Sequence, residues 1–250
     1  MPDTSQRERA QRILDAAAEL VLRWGYKRVT IEEVAKHAGI GKGTVYLHFE
    51  SRAWLFMCVL MRESLGLVDE LTAAIERDAT AVLPAEQARL GYLGVQRRPL
   101  LRAMFVRDNE LLGELAHEGA INPVREWKGE LAFEQFHLLR EHGLMRTDLD
   151  IDTQKYVVGA VQTGFYLHQS ALGSSDADPQ VAATAMSHTI QSAVQPPGSP
   201  DPEALAAVVP AVLASYQRVR ASLAAAIDER PSKRPGPPDN RSGLPQRGFE

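Results

Sequence analysis

Apolar residues recur at helical spacing along almost the whole chain, and this periodicity is the strongest constraint on its fold. Ile13, Ala17 and Leu20, for example, fall on one face of a helix. Gly25 then supplies a stop. The alternation of β-branched residues that indicates strands is missing from the sequence. The spacing therefore predicts an all-α protein.

A capping box and a glycine turn predict two short helices in the first fifth of the chain. Thr30 and Glu33 have the spacing at which each side chain caps the other's backbone amide. Gly39 ends this helix, and a very short second helix is predicted from about Lys42 to Phe49. With the helix that precedes them they make a helix-turn-helix unit, whose last helix enters the major groove of DNA.

The outer face of the short helix carries no acidic residue. In helical projection Val45 and Phe49 point toward the two preceding helices, whereas Gly43 and Leu47 point away from them. The missing side chain at Gly43 allows a close approach to base edges. The expected base contacts are Gly43, Thr44 and Leu47. The expected contacts to the phosphate backbone are Thr30, Lys42, Tyr46, His48 and Arg52.

Residues 8–56 resemble the TetR-type (TetR/AcrR-like) family of transcriptional regulators. The resemblance lies in the order R-I-L-D-A-A-A-E-L, G-Y and V-T-I-E-E-V-A-K-H-A-G-I-G-K-G-T-V-Y-L-H-F-E-S-R. It implies an all-helical homodimer, usually a repressor, that binds a pseudo-palindromic DNA operator through the N-terminal domain and is released by a small-molecule effector. It also implies that the usual DNA contacts of the family fall on Thr30, Lys42, Gly43, Thr44, Tyr46 and His48.

Breaks rich in glycine and proline divide the rest of the chain into further helices. They are predicted at residues 85–96, 100–118, 124–141, 153–172, 181–194 and 202–229. Residues 230–250 hold five prolines and almost no large apolar side chain, so we expect a disordered tail there. The predicted domains are a helix-turn-helix domain at 1–52, a helical ligand-binding and dimerisation domain at 53–229, and this tail.

Two of these helices carry small residues that allow close packing. Gly159, Ala160 and Gly164 lie in one of them, and the last helix is rich in alanine. They predict a four-helix interface around the two-fold axis of a homodimer, with packing only inside one subunit as the alternative. An effector pocket is predicted among helices 100–118, 124–141 and 153–172. Its candidate residues are Met104, Phe105, Trp127, Phe133, Phe136, Tyr166 and His168, with Arg107, His137 and His168 as polar groups that could orient a ligand.

A helical metal-dependent enzyme is the alternative function. Glu114 with His117, and Glu134 with His137, are two E-x-x-H pairs of the kind that bind metal in di-iron carboxylate bundles. Such a site also needs glutamates from two further helices, and helix 153–172 has none. The segment G-I-G-K-G-T at 39–44 is not a phosphate-binding loop, because glycine rather than serine or threonine follows its lysine.

Composition and charge agree with a cytoplasmic DNA-binding protein. The chain has 250 residues, of which 44% are apolar and 24% charged, and it lacks both a long apolar span and a secretory signal. Its one cysteine, Cys58, excludes an internal disulfide. Residues 1–52 carry a net charge of +2, which leaves −6 on the remainder of a chain whose total is −4. We expect no cofactor, no bound metal and no membrane partner.

Overall fold

The computed structural model describes residues 4–106, 108–113, 134–171 and 178–228. In these ranges the chain is helical and contains no β-strand. The first four helices are α1 (Thr4–Trp24), α2 (Ile31–His37), α3 (Lys42–His48) and α4 (Arg52–Arg77). The next are α5 (Pro84–Gln96), α6 (Pro99–Val106), α7 (Asn109–Leu112) and the helical residues 134–141, here α8. The last are α9 (Ile151–Ala171), α10 (Pro179–Val194) and α11 (Pro202–Asp228). Short 3-10 turns lie at Tyr26–Arg28 and Ala79–Val82. The predicted all-α fold is confirmed.

Local signals set the boundaries of the first four helices. Gly25 and Gly39 have φ angles of 73° and 68°, and glycine adopts such values without a steric penalty. The capping box of Thr30 and Glu33 is formed at the start of α2. The side chain of Ser51 accepts a hydrogen bond of 3.1 Å from the amide of Trp54 and so caps α4. The division into domains at residue 52 stays a prediction.

The prediction of one helix from 100 to 118 is wrong, because the chain breaks after Val106. The Oδ1 atom of Asp108 accepts hydrogen bonds from the amides of Glu110 and Leu111 at 2.9 and 3.0 Å. This cap starts the separate helix α7, which packs against α1 and the turn at Tyr26–Arg28. Residues 114–133 lie outside the described part of the chain.

Helices α1 to α3 pack around a small apolar core, and α4 connects this core to the helical body. Val34, Val45 and Phe49 are buried in it, the last two as predicted from their spacing. Arg62 of α4 donates a hydrogen bond of 2.6 Å to Asp15 of α1, which fixes the two helices to each other. Cys58 is also buried.

The last helix runs antiparallel to α4 along its length. Its beginning packs against the 3-10 turn that follows α4, and its end reaches the first helices of the chain. Between these points Nε of Arg220 donates a hydrogen bond of 2.7 Å to Asp69 of α4. Val208 and Val212 are buried inside the subunit, so these two residues are not available for a dimer interface.

None of the described helices is apolar over a length sufficient to cross a bilayer. Several predictions fall on residues outside the described ranges. They concern Arg107, Glu114, His117, Trp127, Phe133 and the tail 230–250.

Candidate nucleic-acid interface and ligand cavity

Helix α3 presents one side to the core and the other to solvent. Val45 and Phe49 are buried, whereas the side chains of Tyr46 and Leu47 are 45% and 75% exposed. A Cβ atom placed on Gly43 would meet no atom within 4 Å. The outward face therefore combines an exposed aliphatic side chain, an exposed phenol and a stretch of bare backbone, with no acidic group among residues 42–48.

Lys42, at the start of α3, is held by an acidic residue of α2. Its ammonium group forms an ion pair with Oε1 of Glu32. This hydrogen bond lowers the pKa of Glu32 and raises the pKa of Lys42. Both side chains are more than half exposed, so the pair lies at the protein surface. A phosphate group at the start of α3 would compete with Glu32 for the ammonium.

The side chain of Thr30 forms its hydrogen bonds with Glu33, within the protein. Its Oγ1 accepts a hydrogen bond of 3.2 Å from the amide of Glu33 and lies 3.0 Å from the Glu33 carboxylate, to which it donates. The Thr30 amide donates to the same carboxylate at 2.7 Å. Thr30 thus fixes the start of α2, and its expected contact to DNA stays a prediction.

Arg52 has a structural role that the sequence analysis missed. Its Nη1 atom donates hydrogen bonds of 2.9 and 3.0 Å to the carbonyl groups of Tyr26 and Val29. The guanidinium carbon also lies 4.0 Å from the centre of the Tyr26 ring. Arg52 therefore fastens the turn before α2 to the start of α4. No local pattern could reveal this, because the acceptors are backbone carbonyls 26 and 23 residues away.

A groove of about 430 Å³ lies between α1, α3 and the end of α11. Helix α3 contributes Thr44, Leu47 and His48 to it, and α1 contributes two arginines. One of these, Arg7, has its Nη2 atom 3.9 Å from Oδ2 of Asp228 in α11. The exposed face of α3 is thus bordered by basic residues on one side and by the end of the last helix on the other.

A second cavity, of about 380 Å³, lies in the helical body between α4, α5, α6, α8, α9 and α11. The rings of Phe105 and Tyr166 stack in its wall with centroids 4.5 Å apart. Burial raises the pKa of the phenols of Tyr166 and Tyr216, which keeps both neutral. The described lining contains one cationic residue, Lys155, and no acidic one.

The clearest polar feature of this cavity is the amide of Gln135. The residue is only 5% exposed and lines the cavity. The Gln135 side chain hydrogen-bonds to the Tyr216 phenol, and its Nε2 atom has no well-aligned acceptor among the described residues. A buried donor whose hydrogen-bonding capacity is incompletely used is unfavourable, so a ligand with an acceptor group at this point would be stabilised.

The predicted pocket residues divide into two groups. Phe105, Phe136 and Tyr166 line the cavity. Met104, His137 and His168 are absent from the described lining, and their role in a pocket stays a prediction. The two histidines lie on exposed positions of α8 and α9, because the neighbouring residues Phe136 and Tyr166 occupy the inward positions of those helices.

The residues of the alternative metal site do not cluster where the structure describes them. Glu134 is exposed, and its Oε2 atom accepts hydrogen bonds from Arg218 and from Ser215, the latter at 3.3 Å. In the described part of the chain, no three His, Cys, Asp or Glu residues cluster at metal-binding distance. Glu114 and His117 are outside it.

Comparison with known proteins places this architecture in a family. The model of the tetR family of bacterial regulatory proteins matches residues 13–57, from within α1 to the start of α4. The HTH-type transcriptional repressor KstR of Mycolicibacterium smegmatis is 32% identical over 151 residues, which cover 54% of this chain and 72% of KstR. The chain belongs to the TetR family of bacterial regulatory proteins. The resemblance identified from residues 8–56 is thereby confirmed.

Solved structures extend the likeness to the helical body of this TetR-family chain. The fatty acid degradation regulator FadR of Bacillus halodurans superposes with a TM-score of 0.58 at 18% identity, over 73% of this chain and 94% of FadR. SmeT of Stenotrophomonas maltophilia, in its complex with triclosan, gives 0.59 at 20% identity, over 76% of this chain and 93% of SmeT. At these identities the likeness concerns the fold.

Proposed function

We propose that this TetR-family protein is a DNA-binding transcriptional repressor that binds a pseudo-palindromic operator as a homodimer and is released by a small-molecule effector. The exposed face of α3 is the observation that carries the proposal. It presents Leu47, Tyr46 and the bare backbone at Gly43, with no acidic residue in α3 itself. In a helix-turn-helix protein such a face lies in the major groove, where side chains read base edges.

The proposed contacts fall into two groups. Gly43, Thr44 and Leu47 read bases, because they lie on or beside the outermost line of α3. The groups that would position the protein on the phosphate backbone are Lys42, Tyr46, His48 and Thr30. Arg52 also belongs to the second group. It is the candidate least available to a phosphate, because its Nη1 atom already donates hydrogen bonds to two carbonyl groups.

Selection of DNA by the purified full chain tests this proposal. We expect enrichment of an inverted repeat whose half-site centres lie roughly one helical turn apart, about 34–36 Å. The double variant Lys42→Ala/Tyr46→Ala should lose the enrichment, because it removes two backbone contacts. Leu47→Ala should change the preferred sequence, whereas Val181→Ala, which shortens an exposed aliphatic side chain on α10, should not. Failure of the unsubstituted chain to enrich any sequence at low salt would refute DNA binding.

The effector is proposed to bind in the cavity of the helical body. Its apolar wall favours a ligand with a hydrocarbon part, and the buried amide of Gln135 favours a hydrogen-bond acceptor on it. Lys155 favours a negative charge over a positive one. The fold relatives agree with this assignment, since SmeT was solved with triclosan and FadR is a fatty acid degradation regulator.

Decanoate is a suitable probe, with 1-decanol as its uncharged counterpart. We expect decanoate to raise the melting temperature of the protein and to release operator DNA, and 1-decanol to do so less. Release requires that the ligand prefer a conformation in which the two recognition helices are wrongly spaced, because a ligand shifts an equilibrium only through its differential affinity.

Variants inside and outside the cavity show where decanoate binds. Gln135→Leu should weaken the response to decanoate, whereas His168→Ala, on the same wall helix as Tyr166 but outside the described lining, should leave it unchanged. Equal responses of both variants would place the ligand elsewhere.

A further inference from the structure

A groove beside the recognition helix adds basic side chains to the surface proposed to face DNA. Residues of α1 form one side of this groove, and Thr44 and Leu47 of α3 form another. Both of these α3 residues are proposed to read bases, so the groove is continuous with the proposed DNA interface. A side chain that α1 places in the groove therefore lies next to the DNA-facing side of α3.

Two arginines of α1 line the groove, and they differ in their charged partners. The Nη2 atom of Arg7 lies 3.9 Å from Oδ2 of Asp228 at the end of α11. Each residue of a helix is rotated by about 100° from the one before it, so Arg9 points about 160° away from Arg7 and lies at the other edge of the groove. Arg9 is exposed, and no carboxylate among the described residues forms an ion pair with it. A phosphate could therefore bind Arg9 without displacing an acid.

The charge and the position of the groove suit a phosphate of the DNA backbone. Its described lining holds two arginines and a single acid, and that acid is already paired with Arg7. A helix with its side chains is about 10–12 Å in diameter, and the major groove is about 12 Å wide, so α3 fills the groove that receives it. A side chain on the neighbouring helix α1 then meets the phosphates at the edge of the groove rather than the bases. The planar guanidinium group of arginine binds phosphate through two parallel hydrogen bonds.

We infer that Arg9 of α1 binds a backbone phosphate beside the major groove that α3 occupies. This inference rests on the proposed DNA-binding function, to which it adds a contact from a helix outside the helix-turn-helix pair α2 and α3. The contact would raise the affinity for DNA without sequence preference, since phosphate contacts carry no base information. It would also make binding more sensitive to salt, because a neutralised phosphate releases counterions.

Salt-dependent binding by the full chain tests the inference. The variant Arg9→Gln is compared with Arg77→Gln, which removes the same charge at the far end of α4. Dissociation constants for the selected operator and for an unrelated duplex are measured from about 0.05 to 0.3 M salt. The proposed homodimer carries two copies of Arg9, so Arg9→Gln should flatten the slope of log K against log salt by almost 2, at about 0.9 per contact. At 0.1 M salt we expect a loss of affinity of roughly tenfold or more on both duplexes, and no such loss for Arg77→Gln.

The variant Arg9→Lys and chemical modification of the DNA give two further readouts. Arg9→Lys keeps the positive charge and should retain most of the salt slope. Ethylation of single operator phosphates should inhibit binding of the unsubstituted chain at a position beside each half-site, and this position should no longer matter to Arg9→Gln.

Three results would contradict the contact. Slopes and ethylation patterns of Arg9→Gln equal to those of Arg77→Gln would overturn the inference while leaving the proposed function intact. A loss of affinity for the operator alone would also overturn it, because Arg9 would then read bases. An unsubstituted chain that binds neither duplex would refute the proposed function itself, and with it the inference.

Discussion

At the scale of single residues, the ion pair between Lys42 and Glu32 determines how much charge α3 can offer to DNA. The ammonium is already bound to a carboxylate in the absence of DNA. A phosphate must therefore displace Glu32 or share the ammonium with it. Exposed pairs of this kind contribute little to stability, so the exchange is energetically accessible.

The first prediction follows from this competition. Glu32→Gln should tighten binding to all DNA sequences by roughly three- to tenfold, because it removes a competing carboxylate and a negative charge near phosphate. Glu76→Gln, which removes an exposed acid near the far end of α4, is the control of equal charge. Fluorescence anisotropy at several salt concentrations measures the change. Weaker or unchanged binding by Glu32→Gln would show that Lys42 does not contact phosphate.

At the scale of elements, the break between α6 and α7 allows α7 to link the helical body to helices α1 to α3. Helix α7 packs on α1 and on the turn at Tyr26–Arg28. A Cβ atom on Gly25 would lie 2.9 Å from the carbonyl oxygen of Glu110. Gly113 has a φ of 54°, and a Cβ there would lie 3.2 Å from the ring of Tyr26. Gly25 and Gly113 thus permit the close contact of α7 with α1 and with the turn at Tyr26–Arg28.

The second prediction compares two glycines that share an unusual backbone conformation. Gly25→Ala should lower the free energy of unfolding by more than Gly39→Ala, because both substitutions incur the cost of a positive φ but only the first also meets a backbone atom. We expect about 1 kcal/mol for Gly39→Ala and about 2–4 kcal/mol for Gly25→Ala. Urea unfolding measures both. Equal losses of unfolding free energy in the two variants would mean that α7 moves away from residue 25 at little cost.

Elements fixed by local chemistry could be predicted from the sequence, and those fixed by tertiary contacts could not. The turn between α2 and α3 was predicted because its cap and its glycine act within a few residues. The break at Asp108 was missed, since apolar spacing continues through it and a lone aspartate is a weak signal. His168 was assigned to the pocket by residue type alone, and it lies at an exposed position of α9, so its role stays a prediction.

At the scale of the whole molecule, the exposed face of α9 has no partner among the described residues. Tyr156 is 78% exposed, although a tyrosine on a helix of the body usually packs against a neighbour. Gly159, Ala160 and Gly164 are also exposed on this helix. Small residues beside an exposed aromatic ring allow two helices to approach closely, and a two-fold axis brings the same surface of each subunit together.

The third prediction is therefore that α9 contributes to the proposed homodimer. Tyr156→Arg should shift the protein from dimer to monomer at low micromolar concentration, because the two-fold axis places the new charge near its own copy. Leu22→Arg, which introduces the same charge at an exposed leucine of α1, should leave the dimer intact. Mass photometry and analytical ultracentrifugation measure the change.

The monomeric variant should bind one half-site and lose the tight, spacing-dependent binding of the full operator, since only a dimer places two recognition helices in successive major grooves. A Tyr156→Arg variant that stays dimeric would move the interface to the alanine-rich outer face of α11, where Ala206, Ala207, Ala211 and Ala214 are exposed.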